Sequence, residues 1–179
     1  MPTMDEMITK YRDNTENYEA VLSAVRQVFP KAPNLRFALM GHIGRETDGT
    51  YDFEMKQYND GPGRNLFQME DGKYPNGVDK HLRNYNRFRE RNKLEDSPLS
   101  QVKYFAATLT GSEREYIGFG NAEKLVKIAQ EGTPEEIAEM LQKRWFKSGS
   151  PDPQKTLDYM NFLRMRTQEA QPAEPQPSE

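Results

Sequence analysis

The segment NLRFALMGHIGRE carries Leu39, His42, Ile43 and Glu46. The first three precede Glu46 by seven, four and three residues, so on a helix all four side chains share one face. A carboxyl group at the end of a mostly apolar stripe, near the C-terminus of its helix, meets two influences of the same sign. Burial disfavours the carboxylate, and so does the negative end of the helix dipole. A carboxylic acid held protonated near neutral pH is the general acid that glycosidic bond cleavage needs. The alternative is an ordinary solvated helix-end glutamate, the commoner state of charged residues.

The chain then runs through GPGRNLFQMED, with Gln68 close behind Glu46 in sequence. The pair of segments resembles the lysozyme-like superfamily, in particular phage tail-associated lysozymes and lytic transglycosylases. In that group a helix ends in the catalytic Glu, often followed by Ser or Thr and a Gly. A polar loop then leads to a Gly-Leu-Phe-Gln or Gly-Leu-Met-Gln turn. The matching residues are Gly44, Glu46, Thr47 and Gly49, then Gly63, Leu66, Phe67 and Gln68.

The resemblance implies that Glu46 is the acid and that Gln68 lines a sugar cleft. The substrate it implies is the glycan strand of bacterial peptidoglycan. Asn65 stands where the family has Gly before Leu-Phe-Gln, and Asp48 where a second Gly is common. Asn tolerates a positive φ better than most residues. The likeness extends more loosely over residues 34 to 166. SQVKYFAATL is similar to a core helix of phage lysozyme-like domains that often opens with Gln. RWFKSGSPDPQKTLDYMNFLRMR is similar to their closing segment.

A retaining glycosidase needs a second carboxylate at ~5 Å, and an inverting one a base at ~6.5–9.5 Å. Asp48, Asp52, Glu54 and Asp60 are the candidates. Transglycosylases of the superfamily manage with one Glu, because a substrate hydroxyl attacks. YIGFGNAEK has a weak likeness to their Tyr-Asn-Ala-Gly segment, in a different order. Phe67, Tyr51 and Tyr58 are the candidates for stacking on sugars. The resemblance to phage proteins implies delivery in a virion, among other virion proteins, or accumulation in the host cytoplasm before lysis. The alternatives are a non-enzymatic virion structural protein of the same fold and a family 19-type chitinase, which also follows its helix with Glu-Thr-Gly-Gly.

Other chemistries find less support. His42 and Glu46 have the i, i+4 spacing of two metal ligands, and His81 is a conceivable third. Nothing else matches a zinc pattern, so His42 is expected to pack beside Glu46 or to hydrogen-bond it, and no metal or cofactor is expected. DKHLRNYNRFRERNK is basic with interleaved aromatics. Leu82, Tyr85 and Phe88 fall at helical spacing, which predicts an amphipathic helix with Arg83, Arg87 and Arg91 outward. The net charge of −3 and pI of about 5.6 speak against a nucleic-acid binder. Cysteine is absent, which removes disulfides and thiolate metal sites. The polar start MPTMDEMITK lacks the features of a secretory signal, and no stretch reaches the ~20 apolar residues of a membrane span.

The elements that must position these groups are mostly helical. Spacing predicts helices over Met4 to Phe29, Leu35 to Glu46 behind an Asn34 N-cap, Asp79 to Asn92, and Pro98 to Leu109. Further helices are predicted over Asn121 to Gln130, Pro134 to Phe146 behind a Thr133 N-cap, and Asp152 to Arg166. Residues 48 to 78 are rich in Gly and Pro, a ~30-residue loop of the kind that is usually functional. YDFEMKQY and NLFQME suggest a small β-hairpin inside it. The expected class is therefore α+β, mostly helical. Residues 1–33 are expected as an N-terminal helical arm, 34–167 as the lysozyme-like domain, and 168–179 as a disordered tail.

Overall fold

A computed structural model of the chain describes residues 3–56, 63–69, 81–110, 122–146 and 153–169. They are mostly helical: α1 (Met4–Asp13), α2 (Thr15–Val28), α3 (Pro33–Glu46), α4 (His81–Asn92), α5 (Pro98–Thr110), α6 (Ala122–Glu131), α7 (Pro134–Met140) and α8 (Pro153–Glu169). The chain continues from α7 into a π-helical turn, Leu141–Phe146.

α1 opens on a reciprocal cap. The Thr3 hydroxyl accepts from the Glu6 amide at 3.2 Å, and the Glu6 carboxylate accepts from the Thr3 amide at 2.7 Å. The expected helix from Met4 to Phe29 is broken once, at Asn14. Its backbone leaves helical geometry with φ −124°, and its side-chain amide donates back to the Lys10 carbonyl at 2.9 Å. α2 then buries Tyr18, Val21, Ala24 and Val25 at the expected period.

α3 starts differently from the expectation. Pro33 takes the first turn, where its missing N–H costs nothing, and Ala32 sits at the N-cap with no side-chain hydrogen bond. Asn34 is not the cap; its side-chain amide donates to the Gly132 carbonyl at 3.1 Å and ties α3 to the α6–α7 connection. Leu35 and every residue from Ala38 to Gly44 are buried, so α3 is enclosed by its neighbours rather than lying on the surface. α8 and α7 pack most extensively on it, with α2 and α6 on other sides. Gly41 and Gly44 permit the close crossing with α8. A Cβ on Gly41 would lie 2.6 Å from Met160 Cγ, and one on Gly44 would lie 2.9 Å from Tyr159 Cδ1.

The N-terminal segment is no separate arm. Met7 of α1 and the buried face of α2 belong to the same apolar core as α3, α5 and α8. Tyr11 meets Tyr18 and Phe162 edge-on, with centroids at 5.4 and 6.2 Å. At the other end α8 runs to Glu169, past the expected boundary of the tail, and residues 170–179 lie outside the described residues. Thr133 caps α7 as expected, in a second reciprocal box with Glu136.

The hairpin is a correction. Among the described residues the β features are isolated antiparallel bridges, Lys56 with Arg64 and Arg64 with Met69, and no strand forms. The β-compatible residues Tyr51, Leu66 and Phe67 are instead buried anchors that bind an irregular loop to the core. None of the described helices is long and apolar enough to cross a membrane.

Candidate active site

Leu39, His42 and Ile43 are fully buried, and Glu46, one turn further along the same face, is half-buried as the last residue of α3. The carboxyl group thus emerges at the rim of the core. The chain leaves the helix by a Schellman arrangement: the Gly49 amide donates to the Gly44 carbonyl at 2.8 Å and the Asp48 amide to the Arg45 carbonyl at 3.3 Å. Asp48 occupies the left-handed position, φ +50°, that such an exit requires, so an aspartate does what a glycine commonly does. Thr47 is buried. Its hydroxyl donates to the Ile43 carbonyl at 2.7 Å and accepts from the Tyr51 amide at 3.0 Å.

Two candidates for a second carboxylate are already engaged. Asp48 forms an ion pair with Lys10 of α1, whose ammonium also donates to the Asp48 carbonyl at 2.8 Å. Asp52 accepts from the Glu54 amide at 2.9 Å, a local turn. Glu54 is exposed. Asp60 and Tyr58 lie outside the described residues.

The turn that bears Gln68 is held from several directions. Asn65 has φ +63°, the left-handed geometry foreseen for the family's glycine position, and its side-chain oxygen accepts from the Phe67 amide at 3.0 Å. The Asn65 amide donates to the Met55 carbonyl at 2.8 Å, which joins the turn to the loop descending from Glu46. Gln68, half-buried with φ +48°, donates its side-chain amide to the Asn65 carbonyl at 2.9 Å.

Gln101 of α5 is the residue that joins these parts, and it is fully buried. Its oxygen accepts from the Leu66 amide at 3.1 Å. Its nitrogen donates to the Phe53 carbonyl at 2.9 Å and to Asp96 at 3.1 Å. Spacing singles out neither Gln101 nor Lys10 as a site residue. The resemblance of SQVKYFAATL to a helix opening with Gln was the one signal for the former, and Lys10 had none.

Two stacking candidates are corrected. Tyr51 is 5% exposed, donates its hydroxyl to the Met40 carbonyl at 3.0 Å and meets Tyr18 edge-on at 4.9 Å. Phe67 is 2% exposed and stacks on Phe105 at 5.4 Å. Both rings are committed to the core and present no face to a sugar. Loops are usually surface features, and these aromatics are the anchors that hold this one down.

His42 points into the α3–α7 contact, where its Nε2–H donates to the Ala138 carbonyl at 2.9 Å. Burial lowers its pKa to about 4, against the opposing pull of that hydrogen bond, with a further lowering from Arg45. The ring is neutral at pH 7. His81 shares a hydrogen bond with the Tyr104 hydroxyl at 3.0 Å. Among the described residues no group of three metal-ligating side chains forms. α4 is amphipathic as foreseen: Tyr85 and Phe88 are buried and Leu82 half-buried, while Arg83, Arg87 and Arg91 are exposed.

The chain matches no protein-family model, no curated protein and no solved structure.

Proposed function

We propose that this chain cleaves the β-1,4 bond between N-acetylmuramic acid and N-acetylglucosamine in bacterial peptidoglycan, on a lysozyme-like fold, with Glu46 as the acid. The observation that carries the reading is the position of Glu46. It is a half-buried residue at the end of an enclosed helix, and the loop that follows it is bonded to the glutamine turn between Met55 and Asn65. In this reading Glu46 donates its proton to the leaving oxygen as positive charge develops on the sugar ring. Gln68 offers an amide to a substrate polar group. The anionic glycan strand is the partner, and the route to it is a phage virion or release from the host cytoplasm.

Asp48 is tied to Lys10 and Asp52 accepts from the Glu54 amide; one form of the reading needs neither of them, because it uses a single carboxylate. Glu46 would then protonate the leaving oxygen and afterwards accept the proton of the muramic hydroxyl that attacks the anomeric carbon. The products would be 1,6-anhydro ends rather than reducing ends. Mass spectrometry of digested sacculi separates the two.

The burial of Tyr51 and Phe67 favours a second reading, a virion structural protein that keeps the fold without the activity. Clearing of murein by the wild-type chain and by Glu46→Gln in a zymogram decides between them. Loss of clearing in the variant alone supports the enzyme; equal clearing, or none from either chain, removes it. Chitin oligomers in parallel identify a chitinase.

A further inference from the structure

The two loop segments that flank the candidate site are not held by each other alone. Asp96, in the α4–α5 connection, accepts from the Tyr85 hydroxyl of α4 at 2.5 Å and from the Gln101 side chain at 3.1 Å. Gln101 in turn binds the Leu66 amide in the glutamine turn and the Phe53 carbonyl in the loop that descends from Glu46. One side-chain amide thus serves three partners, with its oxygen toward a donor and its nitrogen toward two acceptors. No other assignment of the amide satisfies all three. Leu66, fully buried, and Phe67, stacked on Phe105, fix the turn radially. Apolar contacts are not directional, and the hydrogen bonds from Gln101 set the register of the turn along the helix.

We propose that Gln101 is a positioning residue for the site: its amide, oriented by Asp96, holds the turn that presents Gln68 in fixed register with the loop that follows Glu46. The effect on catalysis rests on the function proposed above; the effect on the turn does not.

The test is Gln101→Glu in the full chain, alone and with Asp96→Asn. The introduced carboxyl still accepts from Leu66. It donates to the Phe53 carbonyl only when protonated, and when ionised it faces that oxygen and the Asp96 carboxylate. Among the described residues, Asp96 is the charged group bonded to Gln101; Tyr85 stands behind Asp96, and the Arg89 guanidinium lies 5.2 Å from the Tyr85 ring. At pH 7 the Leu66 amide should exchange about tenfold or more faster than in the wild-type chain, while the amide of Tyr104 in α5 is unchanged. Murein clearing relative to wild type at the same pH should fall with it. Both should recover together as pH is lowered and the carboxyl takes up its proton. Asp96→Asn removes a like charge, so the recovery should move to lower pH.

Wild-type exchange at Leu66 in the variant, or a deficit independent of pH, overturns the proposal. So does a chain that stays unfolded at every pH with and without Asp96→Asn, because Gln101 would then serve the fold as a whole. If the wild-type chain clears no murein, the proposed function fails, and the exchange at Leu66 still decides the role of Gln101.

Discussion

Lys10 reaches across 38 residues of sequence to close on Asp48, binding both its carboxylate and its carbonyl. The N-terminal helix thereby grips Asp48, the left-handed residue at the exit from α3. The stem of Lys10 also lies against Gly49, with Cδ 3.4 Å from where a Cβ would be. The first helix is therefore part of the apparatus that carries the chain away from Glu46.

Lys10→Met keeps the stem and removes the charge. The pair is about a third exposed on each side, so the loss should be modest, about 1 kcal/mol in urea unfolding. Asp48→Gly gives up the same ion pair but takes the left-handed conformation without strain. Adding Lys10→Met to Asp48→Gly should therefore cost less than it does in the wild-type background. Equal costs in the two backgrounds would show that the two side chains are not coupled.

His42 makes stability depend on pH in a defined window. Its pKa in the folded chain is about 4, below the ordinary value of 6.5, because burial penalises the charged ring. The unfolded chain therefore binds a proton first as pH falls. The stability contributed is complete above pH 6.5 and is lost progressively as pH falls toward 4. The difference corresponds to about 3 kcal/mol. His42→Gln should flatten the slope of urea midpoint against pH between 6.5 and 4, leaving only the carboxylate contribution at the acid end. An unchanged slope would mean that the ring is not buried as described.

Glu46→Gln removes the proton donor with little change of shape. If Glu46 is the acid, clearing of murein should fall about 10²- to 10⁴-fold. Its stability should change by about 1 kcal/mol or less, because the substitution is isosteric and the residue is only half-buried at the end of α3. A large loss of stability in urea unfolding would instead assign Glu46 to the fold.

The helices were legible because their burial is periodic and local. Tyr18, Val21 and Val25 mark α2, Tyr85 and Phe88 mark α4, and Thr133 with Glu136 marks the start of α7. The break at Asn14 was not, because one side chain bonding to a backbone oxygen leaves no periodic trace. The burial of Tyr51 and Phe67 is not legible in the sequence, because they sit in a stretch rich in Gly and Pro. Their partners, Tyr18, Met40 and Phe105, are distant in sequence. The same separation hid Lys10 from Asp48 and Gln101 from Leu66. The positive φ at position 65 is legible in part, since a glycine stands there in the pattern that the segment resembles and Asn tolerates that geometry.

Asn65 separates the two things a residue at that position does. Its backbone sits at φ +63°, and its side-chain oxygen satisfies the buried Phe67 amide. Asn65→Gly keeps the conformation and leaves that amide unpaired, at a cost of about 1–3 kcal/mol. Asn65→Ala leaves it equally unpaired and adds about 1–2 kcal/mol of left-handed strain. The order of stability in urea unfolding should be wild type, then Asn65→Gly, then Asn65→Ala. The Asn65 amide still reaches Met55 in both variants, so murein clearing should follow the same order. Reversal of the two variants would mean that the left-handed geometry at position 65 costs alanine less than the greater freedom of the unfolded chain costs glycine.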